Sequence, residues 1–218
     1  MATTLVISDP HTPFMHPNAI EFLKDLKKTF QPDHVVCVGD LLDCYLFSSF
    51  SHDPDALSAK EEWESAVEQL KPLYKLFPRL DCCIGNHELR HLKRGLDAGL
   101  PSWLFREVRD IIKAPEGWKF GHHFNIDGVR YTHGEEVSGR NALVNLLQIY
   151  RQNVVIGHLH SVAGVTYLNN GINQCWAMAT GCMIDVDAYA FQYGKNSKDK
   201  PVIGCGVVID GVPSFIPM

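Results

Sequence analysis

A chain of 218 residues with 45% hydrophobic and 21% charged positions is long enough to bury a sizeable core and has the make-up of a folded globule. Its formal net charge of −5 argues against a general nucleic-acid surface, which would be basic. No apolar run approaches the roughly 18–20 residues of a membrane span. Seven cysteines, an odd number without a Cys-x-x-Cys pair, argue against a disulfide framework. Cys37, Cys82 and Cys83 fall in predicted core strands. A bridge among Cys175, Cys182 and Cys205 is the minority reading, so a reducing, cytoplasmic compartment is expected. The first strand is expected to start near Thr3, and no signal peptide is expected before it.

In chain order, Leu5-Val6-Ile7 reads as a strand that runs into Asp9-Pro10-His11. Asn18 to Phe30 carries Ile20, Phe22, Leu23 and Leu26 at helical spacing, with Pro17 suited to the first turn. Val35 to Val38 is a strand ending in Gly39-Asp40-Leu41-Leu42-Asp43. The loop Phe47–Phe50, with Tyr45, is expected to pack into the core, with stacking against a base as the alternative use. Ser58-Ala59-Lys60-Glu61 is a capping box that opens an amphipathic helix through Trp63, Val67, Leu70, Leu73 and Tyr74. Pro72 is expected to kink or end it.

Leu80 to Ile84 is a strand ending in Gly85-Asn86-His87-Glu88. Leu89 to Phe124 is less regular, with a helix predicted over Trp103–Lys113. Val129–Tyr131 leads to Thr132-His133-Gly134, and a helix is predicted from Gly139 to Tyr150 with Ser138 as its cap. Val154–Ile156 leads to Gly157-His158-Leu159-His160. Short β pieces follow at 162–168, 173–178, 202–209 and 212–216. Turns are signalled at Asn169-Asn170-Gly171 and, as a hairpin, at Asp210-Gly211. Together these elements suggest an α/β fold, a four-layer α/β/β/α sandwich in one domain spanning residues 1–218.

Five strands thus end in metal-ligand residues, and the carboxyl edge of an α/β sheet is where ligands bind. Asp9, His11, Asp40, Asn86, His133, His158 and His160 combine hard oxygens with borderline nitrogens. That mixture suits manganese, iron, nickel or zinc better than calcium. Seven candidates are too many for one tetrahedral ion and about right for two sharing a carboxylate. Ions paired roughly 3.5–4 Å apart are suited to in-line displacement at phosphorus. Asp40 is the candidate bridge, since Gly39 before it frees the backbone at the turn.

The ordered set Asp-x-His, Gly-Asp-x-x-Asp, Gly-Asn-His-Glu, His and Gly-His-x-His, covering Asp9 to His160, resembles the calcineurin-like metallophosphoesterases. The resemblance implies that Asp9, His11 and His160 hold one ion and Asn86, His133 and His158 the other. Asp40 would bridge both, together with a hydroxide that serves as nucleophile. It also implies that His87 stabilises or protonates the leaving oxygen, and that Asp43 and Glu88 orient ligands. His16, His34, His52, His91, His122 and His123 carry no motif and are read as surface or loop residues.

Departures from the family pattern narrow the class. Cys44-Tyr45 stands where protein serine/threonine phosphatases carry Arg-Gly, which disfavours a phosphoprotein substrate. Repair-type nucleases usually have Asp in place of Glu88 and an added capping domain. Thr12-Pro13 replaces the glycine that often follows the first histidine. A small, capless phosphoesterase of the kind found in bacteria and their phages is the nearest likeness.

Arg90, Lys93 and Arg94 follow the Gly-Asn-His-Glu motif and are candidates for gripping a phosphate beyond the one cleaved, as are Arg106 and Arg109. The plainer reading is a solvated helix face. The loop Tyr193 to Lys200, with Lys195 and Lys198, reads as an exposed basic connection. The expected function is a dimetal phosphodiesterase or nuclease acting on a nucleotide or nucleic-acid linkage. A phosphomonoesterase is the alternative and a non-catalytic scaffold the remote one.

Overall fold

The computed structural model describes residues 2–49, 51–169, 171–194 and 198–218. In chain order the elements are β1 (Thr3–Ile7), α1 (Ala19–Phe30), β2 (His34–Cys37), a 3-10 turn (Tyr45–Phe47), α2 (Ala59–Leu76), β3 (Leu80–Cys83) and α3 (Arg90–Asp97). A second 3-10 turn (Ser102–Leu104) precedes α4 (Val108–Ile111), β4 (Trp118–Gly121), β5 (His123–Ile126), β6 (Val129–Thr132), α5 (Ala142–Tyr150) and β7 (Asn153–Ile156). The chain closes with β8 (Ala163–Asn169), β9 (Gln174–Thr180), a third 3-10 segment (Tyr189–Gly194), β10 (Gly204–Ile209) and β11 (Val212–Pro217).

Two sheets result, ordered β11-β10-β1-β2-β3-β4 and β5-β6-β7-β9-β8. The run β1 to β4 is parallel, and so is β6-β7-β9. Parallel pairing brings the carboxyl ends of neighbouring strands to one edge, so β1, β2 and β3 finish together, as do β6 and β7.

The period-2 alternation of strand side chains assigns the layers. From β1, Leu5 and Ile7 point to Leu23, Leu26, Leu70 and Leu73 of α1 and α2. Val6 points the other way, to a sheet-on-sheet core that joins Val36 and Val38 to Tyr131, Val155 and Met178. On the far side Val154 and Ile156 pack against Leu143, Leu146 and Leu147 of α5. Helices, sheet, sheet, helix is the expected four-layer order. Because Leu146 is fully buried in the last interface, Leu146→Ala should destabilise folding by about 2–5 kcal/mol. Urea unfolding followed by circular dichroism measures this, and a change under about 1 kcal/mol would be inconsistent with that packing.

Helix boundaries differ from the sequence expectation in instructive ways. The capping box forms as predicted, with Ser58 N–H donating to Glu61 Oε2 at 2.9 Å and Glu61 N–H to the Ser58 hydroxyl at 3.3 Å. Pro72 does not end α2, which continues to Leu76. Pro72 lies on the exposed face, so the carbonyl it deprives of a partner can be hydrated. Helix α1 starts at Ala19, leaving Pro17 outside the first turn. Helix α5 starts at Ala142, not Gly139, and Ser138 does not cap it; Gly139 sits at φ 74°, which no helix allows. The helix predicted over Trp103–Lys113 is only the 3-10 turn and α4, with Arg106 between them.

Strands β4 and β5 were not anticipated. Trp118 of β4 is fully buried, and β5 forms a hairpin with β6. The hairpin's signal was present as Asp127-Gly128, both at positive φ (50° and 75°), a good two-residue turn. The Asp210-Gly211 hairpin forms between β10 and β11. Asn170, Phe50 and Lys195 of the other expected loops lie outside the described residues. All seven cysteines are free and buried. Among the described residues no helix is long and apolar enough to cross a membrane.

Candidate metal centre

The five strand ends converge between the two sheets. Leaving each strand, the chain turns sharply: Asp9, His11, Asp40 and His158 have φ of 47°, 48°, 48° and 63°. Side-chain-bearing residues rarely adopt this left-handed region, and such strain clusters at functional sites. Backbone bonds hold the turns in place, with His11 N–H donating to Asp40 O at 3.0 Å and Thr12 N–H to Leu41 O at 2.8 Å. Two motif glycines make room for carboxylates. A Cβ at Gly85 would collide with the Asp40 carboxylate, and one at Gly157 with that of Asp9.

The seven candidate ligands are brought together. Asp9, His11, Asp40 and His160 form one group of converging donor atoms, and Asp40, His133 and His158 another. In the first, His160 Nε2 lies 3.1 Å from His11 Nε2 and 3.4 Å from Asp9 Oδ1. In the second, His133 Nε2 lies 2.9 Å from Asn86 Oδ1 and 3.2 Å from His158 Nδ1. Asp40 Oδ2 faces both, 3.6 Å from His11 Nε2 and 3.3 Å from His133 Nε2. Asp9, His11, Asp40 and His133 are buried. Asn86, His87, His158 and His160 are half-buried and form the mouth.

Surrounding bonds orient these atoms. His11 Nδ1–H donates to Asp43 Oδ1 at 2.7 Å and His133 Nδ1–H to Val38 O at 2.9 Å, so each Nε2 presents its lone pair inward. His158 N–H donates to both Asp9 carboxylate oxygens at 3.1 Å. The Ser8 hydroxyl also donates to Asp9 Oδ2, a contact no motif signalled. Glu88 accepts from three backbone N–H groups: Gly85 at 2.7 Å, Leu42 at 2.8 Å and Asp40 at 3.1 Å. It therefore ties the second turn to the third.

His87 Nδ1–H donates to Asp43 O at 2.7 Å, and its Nε2 accepts from Arg90 Nη2 at 2.7 Å. Arg90 Nη1 also reaches Asp43 O, at 3.0 Å. Arg94 is occupied elsewhere, donating to Phe47 O at 3.1 Å and Ser48 O at 2.6 Å. Lys93 is exposed and lines a cavity of about 470 Å³ with Asn86, Arg90, Asp97 and Glu135. Glu135, two residues past His133, was not singled out from the sequence. Arg106 and Arg109 line a separate cavity with His91 and His122. Of the histidines outside the motifs, His16 and His91 are half-buried rather than superficial, the His91 ring lying 5.5 Å from that of Trp63.

The electrostatics call for positive charge. Burial opposes ionisation of Asp40, yet His87 and His133 hold its carboxyl well below the usual carboxylate range. Burial, followed by the neighbouring His87, pushes His11 down to about 4. Burial likewise disfavours a charged His133, but Asp40 and Asp9 lift it to about 10. Burial and then Asp40 raise Glu88 to about 7. Among the described residues no lysine pairs with Asp9, Asp40 or Asp43. Buried carboxylates faced by imidazole nitrogens 3.1–3.2 Å apart are stable together only around protons or cations. The donor set therefore fits metal binding.

A family model described as calcineurin-like phosphoesterase matches residues 2–162. The chain belongs to the calcineurin-like phosphoesterase family. It is accordingly a metal-dependent phosphoester hydrolase, with clustered His and Asp groups suited to metal. Two relatives are the Gene 54 proteins of Mycobacterium phages D29 and L5, each 24% identical. The first similarity covers 98% of this chain and 92% of that protein, the second 88% and 84%. Among solved structures, the Escherichia coli phosphoesterase Yfce matches with a TM-score of 0.51 at 14% identity, over 99% of this chain and 92% of that one. This last likeness speaks to the fold of a calcineurin-like phosphoesterase alone.

Proposed function

We propose that this phosphoesterase hydrolyses a phosphodiester of a nucleotide or nucleic acid. The observation that carries the reading is that Arg90 stands in the wall between two cavities. One, of about 470 Å³, includes Asn86 and Lys93; the other, of about 270 Å³, includes Asp43 and His87. A diester needs room on both sides of phosphorus, and a monoester needs it on one.

In this reading Asp9, His11 and His160 hold one ion, Asn86, His133 and His158 the other, and Asp40 serves both. Manganese is the first choice, with iron, nickel or zinc as alternatives. When bound, the ions supply an activated water and neutralise charge on the phosphoryl oxygens. Asp43 fixes the His11 ring, and Glu88 fixes the turns that carry Asp40 and Asn86. Arg90 grips a phosphoryl oxygen of the substrate, which frees His87 Nε2 to face the leaving oxygen. Lys93 meets a further phosphate, and Arg94 acts indirectly, by holding the Phe47–Ser48 carbonyls. Residues 1–218 are taken as one domain and the compartment as cytoplasmic.

The monoesterase reading draws on the same Arg90, because a monoester carries about one more negative charge and gains more from a guanidinium. The test is hydrolysis of bis-p-nitrophenyl phosphate against p-nitrophenyl phosphate by metal-stripped protein refilled with manganese, nickel or zinc. The diester is expected to be preferred. Preference for the monoester would overturn the proposal in favour of the second reading.

A further inference from the structure

We propose that the alcohol released by this site is a nucleoside, seated against Tyr189 and His52 in the cavity on the His87 side. The inference rests on the diesterase reading above and adds which substituent goes where. His87, the group assigned to the leaving oxygen, lines the smaller cavity and not the larger one. The departing alcohol therefore lies among Tyr45, His52, Asp53 and Tyr189. The retained substituent lies on the Lys93 side. At about 270 Å³ the space is at the small end of ligand pockets, right for one nucleoside and too small for a folded partner.

Its chemistry differs from that of its neighbour. The larger cavity carries Arg90 and Lys93, with Arg94 bonded to the Phe47 and Ser48 carbonyls and Asp97 and Glu135 also in its lining; its Arg90–Lys93 side suits the next phosphate of a strand. The smaller one offers rings and acceptors. Tyr45 is buried and packs its ring edge-on to Tyr189 at 5.1 Å and to His52 at 5.3 Å. Core packing is therefore the use of Tyr45, as expected from the sequence. Tyr189 is half-buried and His52 exposed, and both line the cavity.

Both phenol oxygens accept backbone bonds from one segment. Asp53 N–H donates to Tyr45 Oη at 2.8 Å and Leu57 N–H to Tyr189 Oη at 3.2 Å. Residues 51–57 are thereby strapped over the rings. Aromatic side chains held in this way suit base stacking, which tolerates any base. Ser51 and Asp53 line the same space and add polar groups suited to base or sugar donors.

The experiment uses the full chain loaded with manganese and varies only the leaving alcohol. Thymidylyl-thymidine, which releases thymidine, is compared with the ethyl esters of thymidine 3′- and 5′-phosphate, scored by ethanol release. The dinucleotide should win in kcat/KM by at least tenfold. His52→Ala and Tyr189→Ala should each cut that preference by about tenfold, within the roughly 5- to 150-fold worth of one stacked base. Calorimetric titration of thymidine should show the same weakening without any turnover. His52 is exposed, so its variant tests the pocket even if Tyr189→Ala fails to fold. If the dinucleotide is cleaved but preference and thymidine binding are unchanged in His52→Ala, the nucleoside seat is wrong and the diesterase reading stands. If the wild type cleaves p-nitrophenyl phosphate and none of the diesters, both fall.

Discussion

Asp40→Asn is expected to release both metal ions together and to lower turnover by at least about 10³-fold, since the ions supply several kcal/mol of charge stabilisation. The reason is geometric. Asp40 is the one residue common to the two donor groups of the proposed dinuclear centre. Its Oδ2 faces His11 at 3.6 Å and His133 at 3.3 Å. Its Oδ1 accepts from His87 N–H at 2.9 Å. In the variant the amide oxygen keeps that backbone bond, so the turn survives. The amide NH₂ then occupies the Oδ2 position, carries no charge, and points hydrogens at the cations. Elemental analysis after gel filtration gives the metal count. Retention of one full equivalent would show that Asp40 belongs to one ion, and the shared role would have to be given up.

His87→Ala is expected to leave the metal count unchanged and to lower turnover by about 10²–10⁴-fold, the range of a lost general acid. His87 packs edge-on against His11, with ring centroids 4.4 Å apart; its Nε2 accepts from Arg90 at 2.7 Å and stands 3.7 Å from Asp40 Oδ2, beside the two proposed ligand sets and not a member of either. Removing the ring should therefore spare the ligands while also freeing Arg90. Full activity in the variant would remove His87 from the chemistry. Loss of metal would reassign it as a support for His11. The two variants separate the roles, since one empties the centre and the other silences a filled one.

Much of this was legible because its cause is local. Val35 to Val38 followed by Gly39-Asp40, or Val154 to Ile156 followed by Gly157-His158, states a strand and its polar end within a few residues. The capping box at Ser58 and the Asp210-Gly211 turn are equally short-range signals. The reading failed where local preference was overruled or too weak. Trp118 reads as one aromatic in an irregular stretch until β3 offers it a parallel partner. Trp103–Lys113 carries helical residues, but Leu100, Trp103 and Leu104 are exposed, so little burial is available there to stabilise a continuous helix. Arg90 and Arg94, one turn apart on α3, look equivalent in sequence. Only one reaches His87, because the Phe47–Ser48 carbonyls capture the other.

By itself, the sequence determined the kinds and order of the candidate ligands, the strands that end in them, and hence a metal-dependent phosphoesterase. The tertiary structure decided which atoms meet. His11 and His160 are 149 positions apart, yet their Nε2 atoms stand 3.1 Å from each other. His133 meets Asn86 across 47 positions, and the segment 51–57 is strapped to Tyr189 across 132. No periodicity encodes such pairs. They exist because two sheets, each parallel around its ligand-bearing strands, pack face to face through a shared apolar core. Burial of that core, which is non-directional, brings the strand ends together. The directional bonds of Asp43, Glu88 and Val38 then set how each side chain points.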